Sequence, residues 1–461
     1  MKTKNAKRMI AAAVCTVMCA AFTAGCGKKA DDNGVKTVTV WSPNTHSKAA
    51  YEKWVKQYNE GEGKEKGIYI DYQVQDSTYS EILNIALQNG EGPDLFASNR
   101  IREFVDNDYI AAIDDLPGGK EFLSKYDVPY NMQYNGKTYI VPQNVQLQGL
   151  VYNKDMFKAA GIVDENGEAK PPETLAEMRE YAKRLTDTQS KRYGMALPMK
   201  WGGWYSSDLR CPTMSSGGHM GFDPSTGKYD FSVMVPLMQT YLDMKADGSI
   251  FPGEEALDND PARAQFSAGN VGMKICFEFD IGVFNDQFPA TCDFGIAPLP
   301  VSDAGHKYMQ RGDLQGSFEI NKKSVEKLGG DVIMEVFKFF TSDETIRNSY
   351  AEGLDIPYDW DIVADMELPN AKKGWVDVAK LADIVYQQPK DPADYMDMGA
   401  TQTIGTRFMN EVWSGKITPE ELCRDYTDIM NKLFDDYLAD NDKGETRETY
   451  MVKDWYDKVK R

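Results

Sequence analysis

Two short runs concentrate the chemistry of this 461-residue chain. Lys200 to Asp208 (KWGGWYSSD) sets Trp201, Trp204 and Tyr205 around a glycine pair, and Phe277-Glu278-Phe279-Asp280 alternates rings with carboxylates. Flat rings cover the apolar faces of a bound molecule, while carboxylates and amides serve its hydroxyls in pairs. Both runs therefore suit a polyhydroxylated ligand. Alternation along a strand puts Glu278 and Asp280 on one face, so the same pair is also a candidate acid and base for glycoside cleavage. Other chemistries lack their signatures. His46, His219 and His306 are widely separated, with no HExxH and no cysteines at metal spacing, and neither GxSxG nor GxxxxGK[ST] occurs. The DNDKGE run at 440–445 lacks an EF-hand ligand before its glycine, and Arg311-Gly312-Asp313 is a coincidence of three letters. No metal and no cofactor are expected.

The elements that must position these residues follow from periodicity. Val38 and Val40 run into Trp41, Ser47 to Tyr58 has helical spacing, Ile68 to Val74 alternates, Tyr79 to Leu87 is helical, and Asp94 to Ala97 makes a third strand. This βαβαβ order predicts an α/β fold with a mostly parallel sheet, where ligands sit beyond the carboxyl ends of strands. Trp41 and Ser42 end the first strand and Asn99 and Arg100 follow the third, which makes all four site candidates. Trp41 has core packing as its rival role, Asn99 a helix cap, and Arg100 a solvated position. Trp201 and Trp204 follow the strand-like YGMALP, where the glycine pair can present both rings outward; Trp204 and Tyr205 alternatively begin a helix packed on the interior. Phe277 to Asp280 ends a strand from Val271. Capping boxes at Thr174 with Glu177 and at Thr418 with Glu421 mark helix starts, and Trp413 reads as core.

The amino-terminal segment reads as an export signal. Lys2, Lys4, Lys7 and Arg8 precede an uncharged run from Met9 to Phe22, and Thr23-Ala24-Gly25-Cys26 ends in cysteine. The segment resembles a bacterial lipoprotein signal peptide. That resemblance implies cleavage after residue 25, lipid on Cys26, a tether over 26–36 and an outer-face location on the cytoplasmic membrane; an ordinary secretory peptide is the alternative. The formal charge is −19, and losing four basic residues with the signal makes it more negative, so nucleic acid and anionic lipid are not expected partners. Four cysteines remain, Cys211, Cys276, Cys292 and Cys423, read as free and buried, with a Cys276–Cys292 bridge as the other option.

Six stretches carry a resemblance through most of the chain. They are YNGKTYIVPQNVQLQGLVYNKDMFKAAGI from Tyr134, PPETLAEMREYAKRL from Pro171, QFSAGNVGMKICFEFD from Gln265, FGIAPLP from Phe294, GSFEINKKS from Gly316, and FKFFTSDETIRNSYAEGLDIP ending at Pro357. In order and spacing they resemble the extracellular solute-binding proteins of carbohydrate ABC importers, the group of maltose-binding protein. The resemblance implies a two-lobed, class II periplasmic-binding-protein-like fold, a non-enzymatic receptor for a carbohydrate, permease subunits as partners, and a monomer. It places lobe 1 at about 37–147 plus 317–352 and lobe 2 at 148–316 plus 353–461, with crossings near Gln146 to Leu150, Arg311 to Ser317 and Leu354 to Pro357. Gln143, Asn144 and Gln146 at the first crossing become ligand candidates with loop-backbone contacts as their rival role, as do Trp360 and Asp359 beyond the third. Where relatives set tryptophan against the sugar, this chain has Phe277 to Asp280. A peptide, polyamine or metal chelate is the variant ligand of the same fold.

Overall fold

The computed structural model describes residues 34–75, 78–98, 100–387, 389–440 and 444–461. From Lys36 onward strands and helices alternate: β1 (Lys36–Ser42), α1 (Lys48–Glu60), β2 (Ile68–Val74), α2 (Tyr79–Asn89), β3 (Leu95–Phe96) and α3 (Ile101–Asp106). The β1 sequence KTVTVWS puts Val38, Val40 and Ser42 on one buried face, and each valine contributes about 1.5–3 kcal/mol by leaving water. Ala50, Trp54, Val55 and Tyr58 form the buried stripe of α1. Gly90, at φ +73°, ends α2 by returning its N–H to Leu87 in a left-handed conformation that glycine adopts without steric cost.

The chain then passes through β4 (Pro142–Gln146) into β5 (Gln148–Asn153), whose six residues are all buried. After α4 (Leu175–Leu185), a second sheet is completed by β6 (Tyr193–Met195), β7 (Val271–Phe277) and β8 (Phe294–Ala297). Its order is β8-β5-β7-β6, with β5 antiparallel to both neighbours and β7 parallel to β6. The capping box of α4 forms, since Thr174 accepts from the Glu177 N–H at 3.1 Å and Glu177 accepts from the Thr174 N–H at 3.3 Å. Gly149 lies inside β5 instead of breaking it, because a Cβ there would collide with Ile296 and Leu381.

The return pass is β9 (Asp313–Gly316), which pairs antiparallel with β4 in the register Asp313 to Gln146 and Gln315 to Asn144. A third pass lies alongside: the Val145 N–H donates to the Ile356 carbonyl at 2.9 Å and Tyr358 to Gln143 at 3.2 Å. Next, β10 (Glu319–Ile320) adds antiparallel to β3, so the first sheet runs β2-β1-β3-β10. The helices α5 (Gly330–Phe340) and α6 (Pro419–Asp440) cover the first and second lobes. Each lobe has its own apolar interior, one around Val40, Ile113 and Phe337 and the other around Leu150, Tyr241 and Phe434. Cys211, Cys276, Cys292 and Cys423 are buried and free, so Cys276 and Cys292 form no bridge. Trp413 is 3% exposed and packs in the second interior.

Candidate binding cleft

The carboxyl ends of β1, β2 and β3 face the three crossing passes, and a cavity of about 340 Å³ lies between them. Ser42, His46, Tyr51, Tyr72 and Ser98 line it from the first lobe. Gln143, Asn144, Gln146, Gln315 and Asp355 line it from the crossings, and Glu278 and Phe279 from the end of β7 in the second lobe. Strand alternation on β4 turns Asn144 and Gln146 to this side and Val145 to the other.

The cavity wall is acidic and aromatic. Glu278 is 4% exposed and accepts the Leu147 N–H at 2.9 Å; burial pushes its carboxyl well above the usual range. Asp355 accepts from the Asn144 amide at 3.0 Å and the Ser349 hydroxyl at 2.5 Å. Among the described residues no lysine or arginine lines this chamber. Ser98 donates from its hydroxyl to Glu319, a wholly buried carboxyl behind the wall that burial pushes up to about 8. Tyr51 stacks on Tyr72 with centroids 5.8 Å apart, and burial pushes the Tyr72 hydroxyl up to about 12. A row of rings runs outward from the second lobe: Trp201 meets Phe277 edge-on at 6.3 Å, Phe277 stacks on Phe279 at 5.0 Å, and Phe279 stacks on His46 of the first lobe.

Several candidates from the sequence lie elsewhere. Trp204 is 3% exposed and stacks on Phe408 inside the second lobe, at the start of a wide π-helical turn, Tyr205–Arg210. Tyr205 packs against Gly405, and Asp208 is wholly buried, its carboxyl pushed up to about 6 by burial. Asp280 is committed to Arg263 and to the Phe277 N–H, so it is a structural carboxylate. Arg100 is held by Glu103 and Asn84 above the Phe104 ring. Trp41 packs half-buried on the interior beside α2, and Phe277 backs Phe279. Trp360 is 42% exposed on the rim of a separate groove of about 560 Å³ that Val145 lines from the other face of β4. Asn99 and Cys26 lie outside the described residues.

Sequence reasoning missed His46, Tyr51, Tyr72, Gln315 and Asp355. The usable signal was position: Tyr72 sits near the carboxyl end of β2, in register with Val40 of β1. Among the described residues no group of three or more metal-ligating side chains occurs, and no helix is long and apolar enough to cross a membrane.

Two α/β lobes, three side-by-side crossings and a polar, ring-lined cavity between the lobes define the two-lobed, maltose-binding-protein-type fold. The chain belongs to the bacterial extracellular solute-binding protein family, whose profile matches residues 42–346. It is 25% identical over 304 residues to a maltotriose-binding protein of Pyrococcus abyssi (strain GE5 / Orsay), covering 62% of this chain and 59% of that relative. A melibiose/raffinose/stachyose-binding protein of Bacillus subtilis (strain 168) is 24% identical over 196 residues, 40% of this chain and 41% of the relative. Among solved structures, the GacH receptor of Streptomyces glaucescens GLA.O superposes with a TM-score of 0.67 at 18% identity, over 87% of this chain and 99% of that one. The maltose/maltodextrin-binding domain from Bdellovibrio bacteriovorus gives 0.65 at 16% identity, over 88% and 100%.

Proposed function

We propose that this protein is a non-enzymatic receptor that holds a carbohydrate, an oligosaccharide, between its lobes and hands it to the permease subunits of an ABC importer. The carrying observation is the chamber itself: the aromatic side chains of Tyr51, Tyr72 and Phe279 line it together with amides and the buried Glu278, the combination of apolar surface and paired hydrogen-bonding groups that suits a sugar. The named specificities of the relatives, maltotriose and melibiose, raffinose and stachyose, support the same ligand class. A hydrolase would need a second available carboxylate beside Glu278; Asp280 is tied to Arg263, and Asp355 is engaged by the Asn144 amide and the Ser349 hydroxyl. We assign 37–147 plus 317–352 to lobe 1 and 148–316 plus 353–461 to lobe 2, rotating about the paired passes β4 and β9. The receptor acts as a monomer at the outer face of the membrane, tethered by lipid on Cys26 after loss of residues 1–25.

A thermal-shift screen against defined oligosaccharides, followed by chromatography of the recovered sugars, tests the reading. The expected result is a raised melting temperature with at least one glycan, returned intact. No shift with any glycan, or release of cleavage products, would sink it.

A further inference from the structure

The cleft continues past the acidic chamber. A second cavity of about 620 Å³ shares Gln146, Gln315 and Gly316 with it, so the two join across the side chains that β4 and β9 present between the lobes. Its walls again come from both lobes, with Arg102 of α3 and Tyr134 on one side and Asp394 and Tyr395 on the other. The two together approach the upper size of a small-molecule site, more room than one or two sugar rings require.

Arg102 is the unusual residue here. Arg100, two positions earlier, is saturated by Glu103 and Asn84, whereas Arg102 is exposed and meets no carboxylate among the described residues. Its guanidinium reaches across the cleft to lie 5.7 Å from the centroid of the Tyr395 ring. The other cation on that ring, Lys390 at 4.4 Å, is neutralised by Glu445 at 2.7 Å. A guanidinium fork without a carboxylate, set over a half-buried ring, offers several N–H donors to neighbouring hydroxyls above a flat apolar face. An exposed cation–π contact is weak, so an arriving ring can displace it.

We propose that the second chamber takes the far units of an extended oligosaccharide, with a sugar ring laid on Tyr395 and its hydroxyls held by Arg102, so that the receptor selects for chain length. The proposal rests on the carbohydrate reading above. Arg102 and Tyr395 approach from opposite lobes, so only a ligand long enough to reach them gains their contacts, and it gains them as the lobes close.

The test is a length series. Gluco-, galacto- and xylo-oligosaccharides of one to five units are titrated against the purified protein and against Arg102→Ala, Arg102→Lys and Tyr395→Ala. In a series that binds, affinity should rise at least about tenfold from di- to tetrasaccharide. Arg102→Ala and Tyr395→Ala should each remove most of that gain, and Arg102→Lys, which keeps the charge and loses the fork, part of it. A plateau at the disaccharide, or variants that leave the tetra-to-disaccharide ratio unchanged, would overturn the proposal while the carbohydrate reading stands. Binding by no series would remove the carbohydrate reading and the proposal with it. Should Tyr395→Ala fail to fold, the exposed Arg102→Ala decides alone.

Discussion

The imidazole of His46 stacks on the ring of Phe279 at 5.6 Å and 28°, and the two residues belong to opposite lobes. Phe279 also has the Arg263 guanidinium 5.8 Å from its centroid, so the ring is engaged by its own lobe and by the other. The contact sits on the wall of the acidic chamber and ties that wall together across the cleft.

A stacked pair of this kind contributes about 0.5–1.5 kcal/mol, enough to shift a balance between open and closed forms by several-fold. His46→Ala should therefore open the ligand-free protein, read as a larger radius in small-angle scattering, with little change in melting temperature. An unchanged radius would mean that the stack forms without holding the lobes.

Trp204 and Trp201 should separate in their effects. Trp204 fills the second interior against Phe408, so Trp204→Ala should cost about 3–5 kcal/mol of stability. Trp201 is half-buried and touches the site only through the edge of Phe277 and then Phe279, so Trp201→Ala should leave the fold largely intact and weaken glycan binding modestly. Melting curves and titrations on both variants decide this; equal loss of stability in the two would contradict it.

This pair also marks the limit of what the sequence reveals. The alternation of Val38 with Val40 and of Ile68 with Ile70 makes the βαβαβ order legible, and the strand ends then point to Ser42 without any structure. Gln143 to Gln146 are legible as a crossing because a proline opens an otherwise extended run. The direction of Trp204 is not, since a glycine pair permits either one, and the choice is made by Phe408 and by the close packing of Tyr205 on Gly405, far along the chain. Tyr51 and Tyr72 carry the spacing of a buried face, and nothing local distinguishes a ring that lines a chamber from one that fills an interior.

Glu319 makes stability depend on pH. Its folded carboxyl is pushed up to about 8 by burial, against an ordinary value of 4.5, so the folded state binds a proton that the unfolded state has already lost between those values. Its contribution is therefore favourable at low pH and is lost as pH rises from about 4.5 through 8, by an amount on the order of a few kcal/mol. Glu319→Gln keeps an oxygen for the Ser98 hydroxyl and cannot ionise. Relative to the parent protein, the variant should melt higher at pH 8.5 and similarly at pH 5. A constant difference across that range would show that Glu319 is ionised throughout.

Glu278 should matter more to binding than to the fold, because it faces the chamber while Asp280, two residues on, faces Arg263. In Glu278→Gln the amide oxygen can still accept the Leu147 N–H, so the backbone stays satisfied, but a carboxyl group facing the ligand is lost. Burial keeps this carboxyl in its neutral form, and a hydrogen bond between uncharged groups is worth about 0.5–1.5 kcal/mol, so affinity for a glycan that binds the parent protein should fall severalfold. Asp280→Asn is the converse. It leaves the largely buried Arg263 with only the exposed Asp260 as counter-charge, and should cost up to about 3–5 kcal/mol of stability, with any loss of affinity following from the weakened fold. Calorimetric titration and melting measured on both variants test the division of roles. If Glu278→Gln binds as tightly as the parent, the ligand does not reach the end of β7, and contacts from Tyr51, Tyr72 and the crossing amides must suffice.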